Sequence, residues 1–234
     1  MKFNLFFLSL FVILGCTKKM EEAVILSPPS TEKLVVTYLA LGDSYTIGES
    51  VAQNESFPYQ FVTKLKLQGL NAANPKIIAK TGWTTDELQV AIKAENLNQT
   101  FDIVTLLIGV NNQYRGYSKI TYRKEFKELL QTALGYASGN KKRVFVISIP
   151  DWGVTPFGLS SGKSAKAIAD EIDAFNAINK EETLAMEISY TDITPDSRKA
   201  ATDGSLIAKD GLHPSGKMYL QWASAIDLRT LDTP

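Results

Sequence analysis

With 234 residues, 44% of them hydrophobic and 21% charged, the chain has room for one sizeable α/β domain and is too apolar to remain disordered. Lys+Arg and Asp+Glu both number 25, and no long basic run breaks that balance, which argues against a nucleic-acid partner. A single cysteine, Cys16, excludes an internal disulfide and a cysteine-built zinc site, while a single histidine, His213, must serve any mechanism that needs an imidazole.

The first residues follow a secretory pattern. Lys2 precedes an apolar run from Phe3 to Leu14 that is too short to span a membrane. Ile13-Leu14-Gly15-Cys16 looks like a bacterial lipobox, giving a signal peptide over residues 1–15 and a lipidated Cys16 at the mature N-terminus. An exported protein held this way sits on a cell-envelope membrane, outer or periplasm-facing, without a transmembrane helix. A plain secretory signal, or a buried apolar element, is the other reading. Residues 16–33, with Ser27-Pro28-Pro29-Ser30-Thr31, form a flexible tether, and the folded domain is expected over 34–234.

From there strand and helix patterns alternate. Leu34 to Leu41 is an apolar, β-branched strand, and Phe57 to Leu67 a helix with Ser56 as cap, Pro58 in its first turn and Gly69 past its end. Lys76 to Ala79 is a short strand. Thr84 and Glu87 have capping-box spacing and open a helix with Leu88, Ala91 and Ile92 on one face. Asp102 to Ile108 is a continuous apolar run, as a strand buried on both faces requires. Tyr122, Phe126, Leu129, Leu130, Ala133 and Leu134 mark a long helix; Arg143 to Ile149 is a strand stopped by Pro150. Ile168, Ile172, Phe175 and Ile178 mark another helix, Glu187 to Thr191 a fifth strand, and Met218 to Ile226 a closing helix. This alternation predicts one doubly wound α/β domain with a parallel sheet.

Ligands of such sheets bind beyond the carboxyl ends of the strands. Gly42-Asp43-Ser44 ends the first strand, so Ser44 is a candidate nucleophile, although the tripeptide alone also fits an ordinary turn. Serine needs a base, and only His213 can supply an imidazole. Asp210 lies three residues before it, between Lys209 and Gly211, and a turn lets its carboxylate fix the ring tautomer. Acyl transfer also needs oxyanion donors. Gly82, after the second strand, lets a backbone amide approach a ligand, and Gly109-Val110-Asn111-Asn112, after the third, offers carboxamide donors. Trp83, Tyr114, Arg115, Asp151 and Trp152 also follow strand ends. They are candidate substrate-lining residues, with Arg115 suited to an anionic group; otherwise the aromatics cover core edges and Arg115 is solvated. The polar loop from Ile47 to Ser56 is a candidate part of the entrance.

Taken together these blocks resemble the SGNH/GDSL hydrolase family of esterases and lipases. Gly42-Asp43-Ser44 matches its first block, Gly82 its second, Asn111 its third, and Asp210 with His213 its Asp-x-x-His block. The resemblance implies a three-layer α/β/α, flavodoxin-like fold with about five parallel strands. It also implies an oxyanion hole made of the Ser44 and Gly82 amides with the Asn111 side chain. The expected activity is ester hydrolysis through a Ser44–His213–Asp210 triad and an acyl-enzyme, on a lipid, glycan or small ester, with no metal or organic cofactor. A glycan O-acyltransferase using the same site, and a non-catalytic surface module binding carbohydrate or lipid, are the rival readings. Two positions depart from the family pattern: Tyr45 stands where leucine is common, and Asn112 where the third block usually has aspartate. Altered local hydrogen bonding is the expected result at Asn112.

Overall fold

A computed structural model describes Met1 and residues 34–231 of the chain. The chain divides after Glu32, and every described residue except Met1 belongs to the unit Lys33–Pro234. Residues 2–15 of the expected signal peptide, Cys16 and the whole of the tether lie outside the described residues.

In chain order the elements are β1 (Val35–Val36), β2 (Tyr38–Gly42), α1 (Ser44–Ile47), α2 (Phe57–Leu67), β3 (Asn71–Ala72), β4 (Lys76–Ala79), α3 (Thr85–Glu95), β5 (Ile103–Leu107), α4 (Val110–Tyr114) and α5 (Lys119–Tyr136). They continue with β6 (Val144–Ile147), α6 (Pro156–Ser160), α7 (Ala165–Ala185), β7 (Ser189–Thr191), α8 (Thr194–Ser197) and α9 (Gly216–Ala225). Five strands form one all-parallel sheet in the order β4-β2-β5-β6-β7. Helix α2 packs with α9, while α5 packs with both α3 and α7. The central strands β2, β5 and β6 are buried along their whole length, which is why they read as continuous apolar runs rather than alternating ones.

The expected first strand is interrupted. Thr37 donates its N–H and its hydroxyl to Asp102 Oδ2, both at 2.8 Å, and its carbonyl accepts from Asp102 and Ile103. The run therefore splits into β1, which pairs with β3 in a separate two-stranded sheet, and β2, which enters the main sheet. Helix α2 begins where expected, but Ser56 makes no side-chain cap; its hydroxyl donates to Gln53 O instead. The capping box at Thr84 and Glu87 is present.

Numbered by their place in the chain, the five strands run 2-1-3-4-5, so the connections from β2 and β5 leave in opposite directions. The crevice at such a divergence is the binding place of an open α/β sheet. Gly42 pairs with Leu107 in register, which puts the turns after β2 and β5 side by side. Only glycine fits at 42: an added Cβ would lie 2.3 Å from Leu107 O and 2.1 Å from Thr46 Oγ1. At the far end of the chain, Lys64 Nζ on α2 donates to the carbonyls of Ala223, Ser224 and Ile226, so an α2 side chain caps the last turn of α9.

Candidate active site

Ser44 opens the short helix α1 directly after the turn from β2. Asp43 caps that helix: its Oδ1 accepts from Tyr45 N at 3.0 Å. The Asp43 carboxyl is fully buried. That burial raises its pKa from 3.8 to about 7, against the opposing pull of the N–H groups of Tyr45 and of Asp43 itself.

His213 arrives on a closed loop. Ala208 N donates to His213 O, Ser215 N to Leu206 O, and Ile207 bridges Pro214. Within it Gly211 adopts φ 74°, a conformation that costs glycine little and most residues a good deal. His213 Nδ1 lies 2.5 Å from Asp210 Oδ2, while Asp210 Oδ1 accepts from the N–H groups of Leu212 and His213. Partial burial works against the Asp210 charge. The Ser50 hydroxyl, the Leu212 N–H and the His213 ring and N–H outweigh it, holding the carboxyl well below its usual range. An ionised carboxylate can only accept, so Nδ1 carries the proton and Nε2 is left as the acceptor. Tyr45, buried, stands edge-on to the imidazole at 5.6 Å between ring centroids and edge-on to Trp222 at 6.1 Å.

The opposite side of the cleft is the loop after β4. Gly82 has φ 87°, and among the described residues the N–H groups of Ser44 and Gly82 donate to no backbone acceptor. Asn111 Nδ2 donates to Trp83 O at 2.9 Å, which uses one of its two hydrogens. Asn112 is fully buried. It accepts from Thr85 N at 3.1 Å and donates to Thr85 Oγ1 at 2.7 Å, while the Thr85 hydroxyl donates to Glu125 Oε2. With its own proton committed to Glu125, Thr85 Oγ1 can only accept from position 112. An amide satisfies that and a carboxylate does not, which accounts for asparagine where aspartate is usual.

A cavity of about 180 Å³ lies between these loops. Ser44, Gly82, Asn111 and His213 all line it, together with Tyr45, Thr81, Val110, Tyr114, Trp152, Phe157 and Leu212. Tyr114, Trp152 and Phe157 make an aromatic wall, Tyr114 meeting Trp152 at 5.4 Å and Trp152 meeting Phe157 at 6.0 Å. Trp152 is fixed by its indole N–H, which donates to Gln113 Oε1 at 2.8 Å.

Of the five candidate lining residues, Tyr114 and Trp152 are on the cavity wall; Trp83, Arg115 and Asp151 are not. Trp83 is packed against the core. Arg115 donates to Gly82 O and pairs with Glu87 at 3.2 Å, because the capping box brings that carboxylate beside it; its charge is already matched. Asp151 is buried, caps Gly153 N, and pairs with Arg198 at 2.8 Å. The loop from Ile47 to Ser56, a candidate part of the entrance, puts no residue on the cavity wall, and three contributors have no signal of their own in the sequence. Phe157 and Leu212 are brought in because Phe157 N donates to Gly211 O, and Ser50 reaches Asp210 across 160 positions. Among the described residues no cluster of three His, Cys, Asp or Glu side chains could hold a metal ion, and no helix is long and apolar enough to cross a membrane.

A hydroxyl, a carboxylate-backed imidazole and free amide donors on one cavity are what nucleophilic acyl transfer requires. In comparison with known proteins, the family model described as GDSL-like lipase/acylhydrolase matches residues 40–220. No curated protein matches the sequence. Among solved structures, a lipase from a goat rumen metagenome is similar with TM-score 0.63 and 19% identity, covering 81% of this chain and 95% of that one. A lipase/acylhydrolase from Enterococcus faecalis is similar with TM-score 0.61 and 18% identity over 81% and 92%. The psychrotrophic esterase EstA from Pseudoalteromonas sp. is similar with TM-score 0.59 and 14% identity over 81% and 93%. At these identities the structural likeness speaks to the fold.

Proposed function

The chain belongs to the GDSL-like lipase/acylhydrolase family and is an ester-hydrolysing enzyme, and from that premise we propose that it is a serine esterase with Ser44 as nucleophile and His213 as general base. Ser44 Oγ attacks the ester carbonyl as His213 Nε2 takes its proton. Asp210 holds Nδ1–H and stabilises the imidazolium that forms. The oxyanion is met by the Ser44 and Gly82 N–H groups and by the second hydrogen of Asn111 Nδ2. His213 then protonates the leaving alcohol, and water, activated by the same base, releases the acyl group. The observation that carries this reading is that Ser44 and a histidine backed by an ionised aspartate line one cavity with Gly82 and Asn111.

The cavity also bears on the substrate. An apolar cavity of about 150 Å³ holds one benzene molecule, so about 180 Å³ suits a short acyl group beside the reacting carbonyl. The substrate in this reading is a carboxylic ester with a small acyl part, on a lipid, a glycan or a small alcohol. From the lipobox-like Ile13 to Cys16, we further read the enzyme as an exported lipoprotein acting at a cell-envelope membrane.

The test is a panel of chromogenic esters of increasing acyl length, with the Ser44→Ala protein as blank. Hydrolysis of short esters, lost in Ser44→Ala at unchanged circular dichroism, is the expected result. Equal rates for the two proteins would remove Ser44 from the mechanism.

A further inference from the structure

Residues 48–56, the loop after α1, supply none of the groups that react in the chemistry proposed above, yet two consecutive side chains in it reach opposite sides of the cleft. Ser50 Oγ donates at 2.7 Å to Asp210 Oδ2, the same oxygen that holds His213 Nδ1. Glu49 Oε2 accepts from the hydroxyl of Thr81, the residue before Gly82. Ser50 does this from φ 66°, a left-handed conformation that serine adopts at some cost. Such strain persists only where the surroundings over-determine it, and it collects at functional sites.

The surroundings here are built for that. Gly48, at φ 77°, starts the loop so close to its end that an added Cβ would lie 2.3 Å from Ser56 Cβ. At the far end Gln60 Nε2 donates both to Glu55 O and to Gly216 O, tying the loop to the start of α9. The loop is fastened at both ends, with its middle aimed at the base loop and at the oxyanion loop.

We propose that Ser50 is a positioning residue: through Asp210 it fixes the orientation of the His213 ring, and with Glu49 it clamps the base loop against the Gly82 loop. The Asp210 side chain is 30% exposed, so water can replace a lost donor and preserve its charge. Water cannot preserve its direction. Oδ1 is already committed to two backbone N–H groups, and Ser50 is the donor from outside the loop that sets where Oδ2 points. Removing it therefore acts on turnover rather than on substrate binding.

The inference rests on the esterase reading, and the experiment separates the two. Ser50→Gly deletes the hydroxyl and relieves the left-handed strain, which offsets part of the stability lost with the hydrogen bond. Its kcat on a short ester should fall about tenfold, the scale of one hydrogen bond to a charged group, with KM within about twofold of wild type. Fluorophosphonate labelling of Ser44 should slow in step. Ser50→Ala keeps the strain and should show the same kcat with a lower Tm. A Ser50→Gly protein with wild-type kcat, or activity that merely tracks the folded fraction of either variant, overturns the clamp. Wild-type protein that fails to label at Ser44 overturns the esterase reading and the clamp with it. Labelling of wild type and both variants at one rate overturns the clamp alone.

Discussion

Replacing Asp43 by asparagine should stabilise the protein, by an amount that grows with pH. In the folded state the Asp43 carboxyl is fully buried and titrates at about 7, raised chiefly by desolvation from the ordinary 3.8. Its Oδ1 accepts from Tyr45 N; among the described residues its Oδ2 has no partner. Between the two pKa values the folded chain holds a proton that the unfolded chain has released, so stability falls as pH rises from about 4 to about 7 and is level beyond. From pH 5 to pH 8 the folded group passes through about two units of this window. At 1.36 kcal/mol per unit, wild type loses about 3 kcal/mol over that range through Asp43 alone. Asparagine keeps the acceptor for Tyr45 N and does not titrate. Its amide leaves a buried donor unpaired, as the protonated acid does, so the two proteins should be close in stability near pH 4. The assay is urea unfolding of both proteins at pH 5 and pH 8. All other titrating groups cancel in the difference, which should widen by about 3 kcal/mol in favour of Asp43→Asn. A gap that stays constant with pH, or narrows, would refute the account of Asp43 as a group buried at the cost of its charge.

Asn112→Asp should cost about 1–3 kcal/mol in thermal unfolding, because it sets a buried carboxylate against an oxygen with no proton to give. Adding Glu125→Gln should restore much of the loss, since Thr85 can then donate to position 112; no recovery in the double variant would contradict the assigned direction of these bonds. Across an ester panel, kcat/KM should peak at short acyl chains, and Phe157→Ala should shift the optimum to longer ones; an unmoved optimum would take Phe157 out of the acyl site. Cys16→Ser should move the protein from the membrane to the soluble fraction of cells, and an unchanged distribution would discount the lipid anchor.

What the sequence made legible follows from where the controlling interactions lie. Strands β2, β5 and β6 announce themselves because burial on both faces requires uninterrupted apolar residues, and α3 because its capping box closes within four residues. Ser44 and His213 could be paired because the chain offers a single imidazole, and parallel topology brings every strand's end to the same edge. The failures are long-range. Nothing near Thr37 says that Asp102 will claim its N–H and break the strand. Arg115 reads as a free cation until the fold sets Glu87 beside it, and Asp151 as a pocket acid until Arg198 meets it. Phe157 carries no periodicity that would mark it as pocket wall; its place depends on a backbone bond to Gly211. The departure at Asn112 was visible, but its reason lay in Glu125, on another helix.

The Lys64 cap on α9 has a consequence for how the enzyme is made. Ser44 lies at the end of the first strand of the main sheet, whereas His213 and the helix that follows it come far later in the chain, and a lysine from the early α2 fastens that helix. On the proposed mechanism a nascent or truncated chain carries the nucleophile without its base until the His213 loop and α9 are synthesised and docked. Products that stop short of residue 213 are therefore inert on this mechanism, and hydrolytic capacity waits on the docking of α9 against α2.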